Sequence, residues 1–227
     1  MVECGIPPKD ILRKANENEI DLTTIRACLI THAHGDHSKS VKMMVDYNIP
    51  VFASYATLRQ LNVQGVELPD LTPFCVCDGV YALAFPVEHD CEGSVGFVIK
   101  TATECVIFVN DHKRWTCDLS NFQPDYVFIE CNYFHKVVYA QVHELQKIKF
   151  RSKEEEIKLA QHKRNLDSHC SLHGTIAGLK KLNLKKTKCI FLMHLSDRYA
   201  NEYKMKNEVV LEFKIQTLAC QKGGGIK

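Results

Sequence analysis

Seven consecutive residues, Thr31-His32-Ala33-His34-Gly35-Asp36-His37, crowd three imidazoles and a carboxylate into a stretch too polar to be core. Metal binding is the chemistry that such a set performs. His32 and His34, two apart on extended backbone, point the same way and can hold one ion, while Asp36 and His37 turn with the loop toward a second. A histidine tract can also be a surface accident or a weak metal scavenger. The added Asp-His pair, and the apolar run just ahead of it, favour a true site.

The elements around the segment explain how it would be positioned. Ala27-Cys28-Leu29-Ile30 reads as a buried strand ending at Thr31. A helix capped by Ser38 is expected to run to about Tyr47, followed by a strand over 49–53, which makes a β-α-β unit. A second helix is expected over 55–61, with short strands over 81–87, 96–101 and 105–110 and a buried strand over 125–131. Ser152 to Asn165 predicts a helix with a capping serine, glutamates in its first turn and basic residues in its last. A helix over about 174–182 and a strand over 189–193 follow. The pattern is that of an α/β chain, read as a single domain over residues 1–227 with a frayed tail from about 221 to 227.

The HxHxDH segment resembles the metallo-β-lactamase superfamily. Members follow it with a histidine after a strand, an aspartate after another, and a last histidine toward the C-terminus. His89 in FPVEHD, Asp111 in FVND and His194 in FLMHLSD take those places. The resemblance implies an αββα sandwich holding two divalent ions, zinc by expectation and manganese as an alternative. His32, His34 and His89 would bind the first ion, Asp36, His37 and His194 the second, and Asp111 would bridge them. Such a site hydrolyses by a hydroxide shared between the ions, which Asp36 could orient.

Shorter motifs narrow the resemblance. Glu130-Cys131-Asn132-Tyr133, Ser168-His169-Cys170-Ser171 and His194-Leu195-Ser196-Asp197 look like the single-domain nuclease-like branch typified by WalJ/YycJ proteins, to which DNA exonuclease activity is attributed. There His169 would be catalytic, binding a phosphate oxygen or protonating the leaving group. As residues alone, the same cluster is also a plausible helix cap, and Glu130 and Asn132 are either groups that orient a ligand histidine or a plain strand-end turn. Family members usually open with a strand pair and a glycine-rich loop ahead of the segment that MVECGIP resembles. Their absence here implies a sheet short of strands, with an unpaired edge.

Composition limits the rest. The 227 residues are 45% hydrophobic and 25% charged, which excludes collagen-like and largely disordered chains. No apolar run is long enough to span a bilayer, and the start has no signal-peptide pattern, so a cytoplasmic protein with reduced cysteines is expected from its 11 Cys. Residues 1–146 carry 11 Lys+Arg against 19 Asp+Glu and residues 147–227 carry 18 against 8, giving −8 and +10. The basic half, with Lys180, Lys181, Lys185, Lys186 and Lys188, suits a nucleic acid, DNA by preference, although a solvated face gives the same count. The expected function is therefore a phosphodiesterase of the nuclease type. The alternatives are a thioester, lactone or lactam hydrolase, a diiron oxidoreductase, against which His34 speaks, and a non-catalytic nucleic-acid-binding relic. His112 is expected to face solvent, no role falls to His135, His143, His162 or His173, and Cys75 and Cys77 form half of a zinc pattern.

Overall fold

The computed structural model describes residues 1–220, so the tail expected to fray lies outside the described residues. The chain gathers into two units, Met1–Pro86 with Cys91–Thr103, and Val87–Asp90 with Glu104 onward. The first holds α1 (Pro8–Glu17), β1 (Cys28–Leu29), α2 (Gly35–Ser38), α3 (Val41–Asp46), β2 (Val51–Ala53), α4 (Tyr55–Leu61), β3 (Val66–Glu67), β4 (Phe74–Cys77), most of β5 (Val80–Glu88) and β6 (Val95–Lys100).

In this unit β1, β2 and β3 form a parallel sheet, and β4, β5 and β6 an antiparallel meander. The run Ala27 to Ile30 is apolar without alternation because both faces of its strand are covered. Cys28, Ile30, Val51 and Ala53 pack with Cys4, Ile11, Val41 and Met44. Leu29 and Phe52, pointing the other way, pack with Ala82, Ala84, Val95 and Phe97. The period of two thus gives the small sheet helices on one side and the meander on the other. Val2 bridges Leu29 in parallel, so the edge expected to stand open carries the first residues of the chain.

The second unit holds β7 (Cys105–Val109), β8 (Arg114–Trp115), β9 (Tyr126–Glu130), α5 (His135–Lys147), α6 (Lys153–Ser168), α7 (Leu172–Leu179), β10 (Cys189–Met193), α8 (Glu202–Phe213) and β11 (Gln216–Ala219). Strands β7, β9, β10 and β11 are neighbours in that order and all parallel. Their carboxyl ends therefore share one edge, the edge at which open α/β sheets place their ligands. The residues that follow β7 and β10, and the last residue of β9, are Asp111, His194 and Glu130. The last two residues of β5 pair with β8, which brings the next residue, His89, into this unit.

The expected strands and helices are present, with corrections at their ends. No single helix starts at Ser38: α2 and α3 are separate, and Ser38 closes α2, its hydroxyl donating to the carbonyls of Ala33 and His34 at 3.1 and 3.0 Å. Ser152 caps α6 as predicted, in a reciprocal box with Glu155, but α6 continues to Ser168, which leaves no basic residue in its last turn. None of the eleven cysteines forms a disulfide, and Cys28, Cys105 and Cys189 are buried. No helix among the described residues is long and apolar enough to cross a membrane.

Gly178 lets α7 approach the sole tryptophan, since a Cβ there would stand 2.6 Å from the Trp115 ring. Trp115 is itself buried at 4% exposure, so it has little room to yield. Gly178→Ala is expected to lower stability by about 1–3 kcal/mol through overpacking. Urea unfolding followed by Trp115 fluorescence checks this, and an unchanged midpoint would contradict it.

Candidate metal-ligand sets

In the first unit the histidine segment leaves β1 directly. Ile30 N–H donates to the Phe52 carbonyl at 2.9 Å and Val95 N–H to the Thr31 carbonyl at 3.0 Å, so the strand is held up to the residue before His32. The chain then turns, and the N–H groups of His37 and Ser38 donate to the His34 carbonyl at 3.0 and 3.1 Å. His32 is completely buried and His37 nearly so, whereas Asp36 is exposed.

Glu3 holds this set in place, and nothing in the local sequence pattern assigned it. Its Oε1 accepts from the Thr31 hydroxyl at 2.6 Å and from His37 Nδ1 at 2.7 Å. With its proton committed to Glu3, the Thr31 oxygen accepts from His32 Nδ1 at 3.0 Å. Both imidazoles thereby carry their proton on Nδ1 and keep Nε2 as a lone-pair donor, the tautomer that a metal ligand needs. His32 Nε2 lies 3.1 Å from His34 Nδ1. That is close to the roughly 3.3 Å separating neighbouring nitrogens on a tetrahedral ion with bonds of about 2.0–2.1 Å. The donor set thus fits a borderline divalent ion such as zinc.

The first residues of the chain deliver Glu3. Glu3 N–H donates to Leu29 at 2.8 Å and Cys4 N–H to His37 at 2.9 Å. Between Glu3 and this turn lies Gly5, where a Cβ would sit 1.6 Å from the Asp36 carbonyl oxygen. Gly5 is the one local signal that could have pointed to this close approach.

The second unit brings together His89, Asp111, His169 and His194 around Glu130. Glu130 is fully buried, and its carboxylate accepts four hydrogen bonds. Oε1 takes His169 Nδ1 at 2.7 Å and His194 Nδ1 at 3.0 Å, and Oε2 takes the N–H groups of His112 at 2.7 Å and Cys170 at 3.2 Å. Burial alone would raise its pKa, but the bonds from His169 and His194 outweigh that and hold it at about 2. Asn132 Nδ2 donates to the His194 carbonyl at 2.8 Å. Both residues therefore orient histidines, which decides between the two readings that the sequence left open. His89 donates from Nδ1 to the Ser168 carbonyl at 2.9 Å, and its Nε2 lies 3.8 Å from Asp111 Oδ2. Donor atoms of Asp111, Glu130, His169 and His194 all lie within 4.8 Å of one another.

Other histidines differ from expectation. His112 does not face solvent: it is fully buried against Trp115, ring centroids 5.4 Å apart, because its N–H is tied to Glu130 and turns it inward. Burial lowers its pKa to about 4, so it is neutral. His162, to which no partner was assigned, is hydrogen-bonded to the Tyr199 hydroxyl at 2.8 Å. The cap reading of the Ser168–Ser171 cluster holds for Ser171, which accepts from Gly174 N–H, while the His169 side chain goes to Glu130.

Removing the Glu3 charge while keeping its shape tests the first set. Glu3→Gln is expected to weaken divalent-metal affinity by about 10–100-fold, read by competition with a chromogenic chelator. Unchanged affinity would show that Glu3 does not govern the ligand histidines.

A family model described as the beta-lactamase superfamily domain matches residues 8–194. The chain is also similar to solved structures. The metallo-beta-lactamase fold protein YhfI from Bacillus subtilis matches over 100% of this chain and 85% of its own, at 14% identity and a TM-score of 0.61. A diphosphatase from the PhnP family matches over 100% and 77%, at 16% identity and a TM-score of 0.63. Zn(2+)-bound PqqB from Methylobacterium extorquens matches over 100% and 82%, at 12% identity and a TM-score of 0.63. At such identities the likeness is one of fold. No curated protein matches the chain.

Proposed function

The chain belongs to the beta-lactamase superfamily, and from that premise we propose that it is a metal-dependent phosphodiesterase of the nuclease type, allied to the WalJ/YycJ-like branch and acting on DNA. The proposed ligands are His32, His34 and His89 for one ion, Asp36, His37 and His194 for the other, and Asp111 for both. This assignment rests on the order of the motifs along the chain and on the donor chemistry of each set. When bound, the ions would supply Lewis acidity toward the phosphoryl oxygens.

The pairing of His169 with Glu130 is what favours phosphodiester cleavage. Its Nδ1–H is committed to a carboxylate that stays ionised above about pH 2, so the second ring nitrogen, Nε2, can pick up and release a proton while the positive charge is balanced from behind. A leaving alkoxide needs such a donor. Asp36, exposed at the turn, remains a candidate for orienting the attacking water.

The polyanion contact is proposed for fewer lysines than the sequence count offers. Lys180 is paired with Glu212, and Lys188 lies 3.1 Å from Asp125 and over the Tyr126 ring at 5.2 Å. Lys181, Lys185 and Lys186 stand exposed between α7 and β10, at the amino end of β10 and so at the sheet edge away from His194, and the polyanion contact proposed for them lies apart from that histidine.

The test is hydrolysis of end-labelled DNA, RNA and generic esters with zinc, manganese or chelator. Chelator-sensitive cleavage of DNA is expected. His169→Ala should lower kcat by about 10²–10⁴-fold with metal content unchanged. Loss of metal in that variant would overturn its role as proton donor, and cleavage of thioesters or lactones with untouched oligonucleotides would move the reading to a small-molecule hydrolase.

A further inference from the structure

Helix α5 and the loop after it carry a feature that the metal ligands do not use. The buried side of α5 is Val138 and Val142, and the helix packs on α6. On its exposed side, His135, Tyr139, His143 and Lys147 follow one another at intervals of four, a single row with steps of about 6 Å. The His135 and Tyr139 rings are stacked, centroids 5.3 Å apart and 22° from parallel. Past the helix end Phe150 stands 85% exposed, with the Lys149 ammonium 5.6 Å from its ring centre.

The charge of this stretch is one-sided. From residue 135 to 153 there are Lys136, Lys147, Lys149, Arg151 and Lys153 against Glu144, a net +4. Arg151 is spent on the helix end, donating to the carbonyls of Leu145 and Ile148 at 3.3 and 3.1 Å, and Lys147 pairs with Glu144 at 2.9 Å. Lys136, Lys149 and Lys153 are exposed between and beside the rings. A run of rings flanked by cations is unlike an apolar face that would enter a lipid layer. Such a run matches a polymer that offers flat apolar bases and regularly spaced negative charges.

The row also starts a short segment away from the Glu130 cluster. Helix α5 starts five residues after Glu130. The segment between is fastened to both histidine-bearing loops, through a parallel bridge of Tyr133 with Ser171 and a 3.0 Å bond from Phe134 N–H to the Tyr199 carbonyl. We propose that the exposed row of α5, continued by Phe150, is a track for single-stranded nucleic acid leading away from His169 and His194. Bases stack on Tyr139, Phe150 and the two histidines, and Lys136, Lys149 and Lys153 meet the phosphates. The track rests on the reading of this site as one that cuts phosphodiesters, and it names the strandedness of the substrate.

The test uses the full chain, a fluorescent oligothymidylate, its duplex, and bis(p-nitrophenyl) phosphate as a diester too small to reach the track. Wild type is expected to bind the single strand more tightly than the duplex. Tyr139→Ala with Phe150→Ala should weaken single-strand binding on the order of tenfold per ring, Tyr139→Phe should retain it, and hydrolysis of the small diester should be unchanged. Lys149→Ala with Lys153→Ala should instead flatten the salt dependence of binding. Unaltered single-strand affinity in the double ring variant, or tighter binding of the duplex, overturns the track even if the small diester is cleaved. Ring-dependent oligonucleotide binding without any diester cleavage upholds the track and overturns the catalytic reading.

Discussion

A carboxylate sealed from water must find donors inside the protein, and Glu130 is such a carboxylate. Its four hydrogen bonds come from three separate stretches of chain, those carrying His112, His169 with Cys170, and His194. Satisfying one buried charge therefore fixes the loops after β7 and β10 and the junction of α6 with α7 relative to the end of β9. Loss of that charge would release all three at once. The parallel arrangement of β7, β9 and β10 makes the convergence possible, because it brings their carboxyl ends to one edge.

Two of the proposed ligands sit where the backbone is under strain. Asp111 and His194, each just beyond a strand, have φ of +40° and +54°, a region that favours glycine. Such conformations persist when surroundings over-determine them, and here the surroundings are visible. His194 is held at its carbonyl by Asn132 and at its ring by Glu130. The next N–H after Asp111, that of His112, is held by Glu130 as well. In the first unit Glu3 plays the corresponding part, setting the tautomers of His32 and His37 through one carboxylate oxygen.

What the sequence revealed followed from local pattern. The run Cys189 to Met193 and the helix Tyr55 to Leu61 have the predicted bounds, because uninterrupted apolar character and a serine cap are written in adjacent residues. The HxHxDH turn was legible for the same reason. Helices α5 and α8 were not, since Phe134 gives α5 no side-chain cap and neither helix has a clean apolar stripe. Glu3 was missed because its partner His37 is 34 residues away, and pairing across such a distance leaves no periodic trace. His112 was misplaced because burial by a neighbour's backbone bond cannot be seen in the residues beside it.

Everything proposed for this chain turns on His32, His34, Asp36, His37, His89, Asp111 and His194 holding two ions, with Asp111 serving both. Metal analysis of the purified chain, wild type and Asp111→Ala, addresses it most directly. About two divalent ions per chain are expected in the wild type, falling to one or fewer in the variant together with most of its metal-dependent hydrolysis. Two tightly bound ions in Asp111→Ala with unchanged turnover would contradict the account.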